Sequence, residues 1–188
     1  MISGLVGAAL WIVQIVNAVR DYSLNRFGML PRHVDGLWGI VTQPFLHDSY
    51  ARTLRDSVIL IAVCWVVMLS GARNWAIVST IVLVVGEGLT WLIAPSKMIL
   101  GSSVLIFGWL GYLIARAVFS RKIRWIAVAV AVLFFFGTLL ANLFPNVDED
   151  TPWQAHLAGL AAGVLAGAVL HAGSSARPPR RTQRPAVS

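Results

Sequence analysis

The sequence predicts an all-α, polytopic membrane protein, a bundle of six transmembrane helices. Of its 188 residues, 57% are hydrophobic and 12% are charged, where a soluble domain carries about a quarter charged. Mean hydropathy is +0.75, so most of the surface must face lipid. Six apolar runs reach or approach the roughly 17–25 residues that cross a bilayer. Basic residues sit in short loops and in the tail, where a membrane protein keeps its topology signals.

The first run, Ile2–Val19, resembles a signal peptide in length. It has no basic n-region, and Asn17-Ala18-Val19-Arg20 is a poor small-residue cleavage site, so a retained helix is expected. The second run, Ser57–Gly71, is short, and its N-terminal end is expected to reach back toward Thr53. Trp75–Ala94, Gly101–Phe119, Trp125–Phe144 and Trp153–Ala172 complete the six. The longest connection, Arg20 to Asp56, holds apolar stretches at Leu37–Val41 and Pro44–Leu46, which suggests a partly embedded loop. Residues 1–173 thus form one membrane domain, and 174–188 form a Pro- and Arg-rich tail expected to be disordered and to touch anionic lipid.

Arg73, the group Arg121, Lys122 and Arg124, and the tail's Arg177, Arg180, Arg181 and Arg184 all fall on one side of a six-helix chain. By the positive-inside rule that side, with both termini, is cytoplasmic. The acidic fifth loop (Asp148, Glu149, Asp150) suits the outside, whereas the first loop, with five Arg against four Asp, does not discriminate. The net charge of +7 does not make a nucleic-acid face, because the cations are scattered among loops and the eight Trp sit in or beside apolar runs. Cys64 is the one cysteine, so no disulfide framework or Cys-based metal site exists, and a packing role is expected.

This topology runs helices two, four and six from outside to inside. Ser103, His156, Arg52 and Asp56 then share one level near the outer face. Gly159, Gly163 and Gly167 on helix six, and Gly101, Gly108, Gly111 and Ala115 on helix four, form small-residue stripes that would let the two backbones approach. Ser103 and His156 then have the makings of a nucleophile and its base. A serine hydroxyl needs a base to take its proton, and helix four would offer free N–H groups to an oxyanion. The bland alternative is that Ser102 and Ser103 cap the helix and His156 is an internally bonded polar residue.

The run Gly101-Ser102-Ser103 followed by Ile106-Phe107-Gly108 resembles the G-x-S-G signature of rhomboid intramembrane serine proteases. Ala155-His156, with Gly159 and Gly163 behind it, resembles the last core helix of that family, which supplies the base. Leu37-Trp38 and Pro44-Phe45-Leu46-His47 are similar to its first loop and the entry to helix two. The resemblance spans about Trp38 to Leu170. It implies a six-transmembrane-helix rhomboid-like bundle in which Ser103 attacks a peptide carbonyl, His156 is general base and then acid, and Phe107 packs on the histidine ring. Substrates would be transmembrane segments of other proteins, with no metal or organic cofactor.

The sequence departs from the family at four places. Val104 stands where a glycine normally follows the serine, a change expected to crowd the substrate's approach. Gly39 replaces the arginine after the first-loop tryptophan. Arg52 and Asp56 replace the histidine and the oxyanion-binding asparagine of helix two. A carboxylate cannot donate as an amide does, so the expectation is that Arg52 donates and Asp56, at i+4, holds it. The alternatives are an inactive rhomboid-like pseudoprotease that binds transmembrane segments, and a small transporter using Glu87, the acidic residue well inside a span. The lack of an organellar signal and the compact plan point to a bacterial plasma membrane.

Overall fold

The computed structural model describes residues 2–145 and 152–175, and the acidic loop at 148–150 and the tail beyond Ser175 lie outside the described residues. Six long helices follow the six apolar runs: α1 (Ile2–Val19), α2 (Tyr50–Met68), α3 (Ala72–Ile93), α4 (Ser103–Ser120), α5 (Ile123–Leu143) and α6 (Trp153–Ser175). Five of them are long and apolar enough to cross a membrane. The exception is α2, whose first two turns carry Arg52, Arg55 and Asp56. Those charges hid its true start from hydropathy: α2 begins at Tyr50, earlier than Thr53, where the Ser49 side chain accepts from Arg52 N–H.

α4 is the axis of the bundle. Ten consecutive residues, Val104–Leu113, are buried, so it is wrapped by other helices rather than by lipid. Its main partner is α6, and the glycine stripes make the contact. A Cβ on Gly163 would sit 1.8 Å from the Gly108 carbonyl oxygen, one on Gly159 2.4 Å from the Val104 oxygen, and one on Gly111 2.3 Å from the Leu160 oxygen. Only glycine permits backbones to meet at this separation. α5 lies at the rim, with Val130, Phe134 and Phe135 more than half exposed. Cys64 is fully buried in the core.

Two irregularities shape the helices. α3 widens into a π turn at Val82–Gly86 before resuming at Glu87, and α5 tightens into a 3₁₀ segment over Gly137–Leu143. The long first loop folds as successive 3₁₀ turns with a short α turn at Gly39–Thr42. It closes on the α3–α4 connection through a single antiparallel bridge, Met29 to Ile99. Buried Met29, Leu46, Gln43 and His47 tie this loop to the bundle, while Trp38 and Val41 stay largely exposed. Gly39 has a steric reason to be glycine, since a Cβ there would lie 2.3 Å from Met29 Cα.

Candidate active site

Ser103 opens α4 after a connection that passes through Gly101 at φ 106, a left-handed conformation that suits glycine. Both candidate capping serines leave their hydroxyls unspent. Ser102 stands at the N-cap without a side-chain cap bond, and Ser102 Oγ and Ser103 Oγ are buried without hydrogen-bond partners. The capping alternative therefore does not hold. The first-turn N–H groups of α4 remain open to an anion, and the helix dipole favours negative charge there.

His156 is 3% exposed, one turn into α6. Its ring stacks on Phe107 with centroids 4.5 Å apart and planes at 22°. Phe107 lies one turn below Ser103 and leans toward it, so the imidazole lies alongside the serine's turn. His156 Nδ1 lies 2.9 Å from the Asn142 carbonyl oxygen. A carbonyl only accepts, which puts the proton on Nδ1 and leaves Nε2 of the neutral ring as the basic nitrogen. The 3₁₀ end of α5 thus sets the tautomer of a residue on α6. The Ser103 hydroxyl makes no hydrogen bond in this state, as is common before substrate aligns such pairs.

The loop around Gly101 is held by α2 and the first loop. Arg52 donates to the Leu100 carbonyl at 2.9 Å and to Asp48 at 3.0 Å. Asp56 accepts from His47 Nε2 at 3.2 Å and from Arg55 at 3.4 Å. These partners differ from the i, i+4 pair that spacing suggests: Asp48 and a backbone carbonyl hold Arg52, and His47 holds Asp56. Both groups still flank Gly101, whose Cβ position is 3.2 Å from Asp56 Oδ2 and 3.4 Å from an Arg52 nitrogen. Gln43 adds a second tether, accepting Gly101 N–H at 3.2 Å and donating to the Gly101 carbonyl at 3.4 Å.

The Rhomboid domain family matches residues 34–173, which is more than half of the chain. The chain belongs to the rhomboid family. Its members are generally intramembrane serine proteases, and this rhomboid is a multi-pass membrane protein. It is similar to uncharacterized mycobacterial proteins. Rv1337 of Mycobacterium tuberculosis and Mb1372 of Mycobacterium bovis are each 32% identical to it over 174 residues, covering 88% of this chain and 72% of theirs. ML1171 of Mycobacterium leprae is 31% identical over 185 residues, covering 94% and 71%.

Val104, the rhomboid's departure beside the serine, turns out to be fully buried. Its Cγ1 lies 3.5 Å from the Cβ position of Gly86 on α3, so this methyl fills space between helices. Glu87 is fully buried and both its carboxyl oxygens lack hydrogen-bond partners. Among the described residues no group of three metal-ligating side chains converges. Sequence reasoning assigned no role to His47, Gln43 or Asn142. The first two are polar residues flanking the apolar stretch Pro44–Leu46, a signal open to use, whereas Asn142 acts through its backbone and gives none.

Proposed function

We propose that this rhomboid is a serine endopeptidase that cleaves transmembrane segments of other membrane proteins by a Ser103–His156 dyad. The observation that carries the reading is a buried, unspent serine hydroxyl one turn from Phe107, whose ring stacks on a histidine that Asn142 holds in the base-competent tautomer. Ser103 Oγ attacks the scissile carbonyl and His156 Nε2 takes its proton. The first-turn N–H groups of α4 and the charge of Arg52 stabilise the oxyanion. His156 then protonates the leaving amine, and water hydrolyses the acyl-enzyme by the same route. The chemistry uses no cofactor. In a plasma membrane, the distribution of Lys and Arg supports both termini on the cytoplasmic side and the dyad near the outer face.

A second reading, a pseudoprotease that holds transmembrane segments without cutting them, draws on Asp56. Its carboxylate beside Gly101 sets a negative charge close to where an oxyanion would form. Labelling with a fluorophosphonate probe, and cleavage of a transmembrane reporter, separate the two readings. The protease gives signal that Ser103→Ala and His156→Ala abolish. Reporter binding without labelling or cleavage, equal in wild type and both variants, leaves the pseudoprotease. Arg52→Ala is expected to slow labelling by about 10²-fold, the typical cost of one oxyanion donor. An unchanged rate removes Arg52 from the mechanism.

A further inference from the structure

At the end of the bundle opposite Ser103, the α2–α3 and α4–α5 turns and the last turns of α6 enclose a cleft of ≈ 640 Å³. Its lining includes Arg73, Arg116, Lys122 and Arg124, together with Tyr112 and Trp125. Among the described residues, no carboxylate lies within ion-pair distance of any of these four cations. The tail that follows adds four more Arg and no acid.

Topology signals alone do not require this construction. They need cations in loops, whereas Arg116 projects from α4 itself. Its guanidinium stacks on Trp125 at 4.2 Å and donates to Tyr112 Oη at 2.8 Å, and its Nε is buried without a hydrogen-bond partner. Arg124 packs on the same Trp125 ring at 5.5 Å, and Trp125 is 4% exposed. One buried indole therefore gathers two guanidinium groups, like charges that an anion bound between them would stabilise. Planar, pre-oriented guanidinium groups match phosphate oxygens bidentately. The lining also carries exposed apolar side chains, Val169 at 51% and Phe119 at 37%, which suits acyl chains beside a phosphate.

We propose that this cleft binds the phosphate headgroup of an anionic phospholipid from the leaflet facing it. The site is independent of the dyad and is cytoplasmic in the orientation proposed above. The bound phosphate would neutralise the Arg116–Arg124 pair and pin the ends of α4, α5 and α6 together.

The test uses the full chain in nanodiscs of phosphatidylcholine doped with phosphatidylglycerol, with retained lipid counted by native mass spectrometry. Wild type is expected to retain phosphatidylglycerol over phosphatidylcholine. The variant Arg73→Gln/Lys122→Gln/Arg124→Gln changes exposed residues only and keeps the tail. It is expected to hold phosphatidylglycerol roughly 100-fold more weakly, at about fivefold for each cation lost. Equal retention of the two lipids, or equal phosphatidylglycerol binding by the variant, overturns the proposal. Displacement of the lipid by submillimolar glycerol 3-phosphate overturns the lipid assignment in favour of a soluble phosphate ester.

Discussion

Replacing Gly163 with alanine asks the α4–α6 pair to accept one methyl carbon for which it has no room. The new Cβ would stand 1.8 Å from the Gly108 carbonyl oxygen and 2.9 Å from the Tyr112 nitrogen. Both obstacles are backbone, so no side-chain rotation relieves them. A carbon–oxygen contact needs about 3.3–3.6 Å, so the helices must separate locally by about 1.5 Å. Overpacking of this kind costs about 1–3 kcal/mol, which lowers the melting temperature by roughly 3–10 °C for a chain of this size. The functional effect is expected to be larger. His156 lies two turns above Gly163 on the same face of α6, and a displacement of about 1 Å at a reacting group costs on the order of 10²-fold in rate. Melting in detergent and fluorophosphonate labelling read the two effects, with Gly88→Ala as control because nothing lies within 4 Å of its Cβ position. A Gly163→Ala protein that melts and labels like wild type would refute the close-packed α4–α6 contact.

Three further substitutions probe the surroundings of the dyad. Asp56→Asn keeps an acceptor for His47 while removing the carboxylate beside Gly101, and should speed labelling about tenfold or more; a slower rate with unchanged melting would show that the charge is needed. Phe107→Ala deletes a ring that is 2% exposed and frees the imidazole stacked on it. Loss of about 3 kcal/mol of stability and a disproportionate fall in labelling rate are expected, and a stability loss without the rate loss would make Phe107 mere packing. Glu87→Leu removes two buried oxygens that have no partner. It should raise the melting temperature while leaving labelling intact, whereas abolished labelling would bring Glu87 into the mechanism.

Much of this arrangement was legible in the residues. Apolar run lengths placed the helices, and glycine spacing identified the α4–α6 seam that now appears as Gly163 against Gly108. The start of α2 was blurred because Arg52, Arg55 and Asp56 are helical yet polar, and hydropathy weighs only the second property. The partners of Arg52 and Asp56 were beyond reach for a different reason. They are chosen by the path of the loop at residues 43–49, which delivers His47 and Asp48, and not by spacing along α2. The place of Val104 was open because the sequence cannot say which way its methyls point. The gap beside Gly86 takes one of them. Arg116 drew no notice as one cation inside an apolar run, since its meaning depends on Trp125 from the next helix.

The π turn at Val82–Gly86 makes α3 two helices with different phase. A single residue advances an α-helix by about 100°, so the extra residue in the wide turn resets which side of everything below it faces inward. Gly86 meets α6 at Gly159 and Ala162, Glu87 and Thr90 are buried, and the Trp91 indole reaches the His33 carbonyl. All four depend on that offset. Losing one residue between Val82 and Val85 would close the wide turn to a plain α turn and leave Glu87–Ile93 facing as they do, whereas losing one from the regular turns below it would spin the rest by about 100°. The wide turn is therefore where α3 best tolerates a change in length.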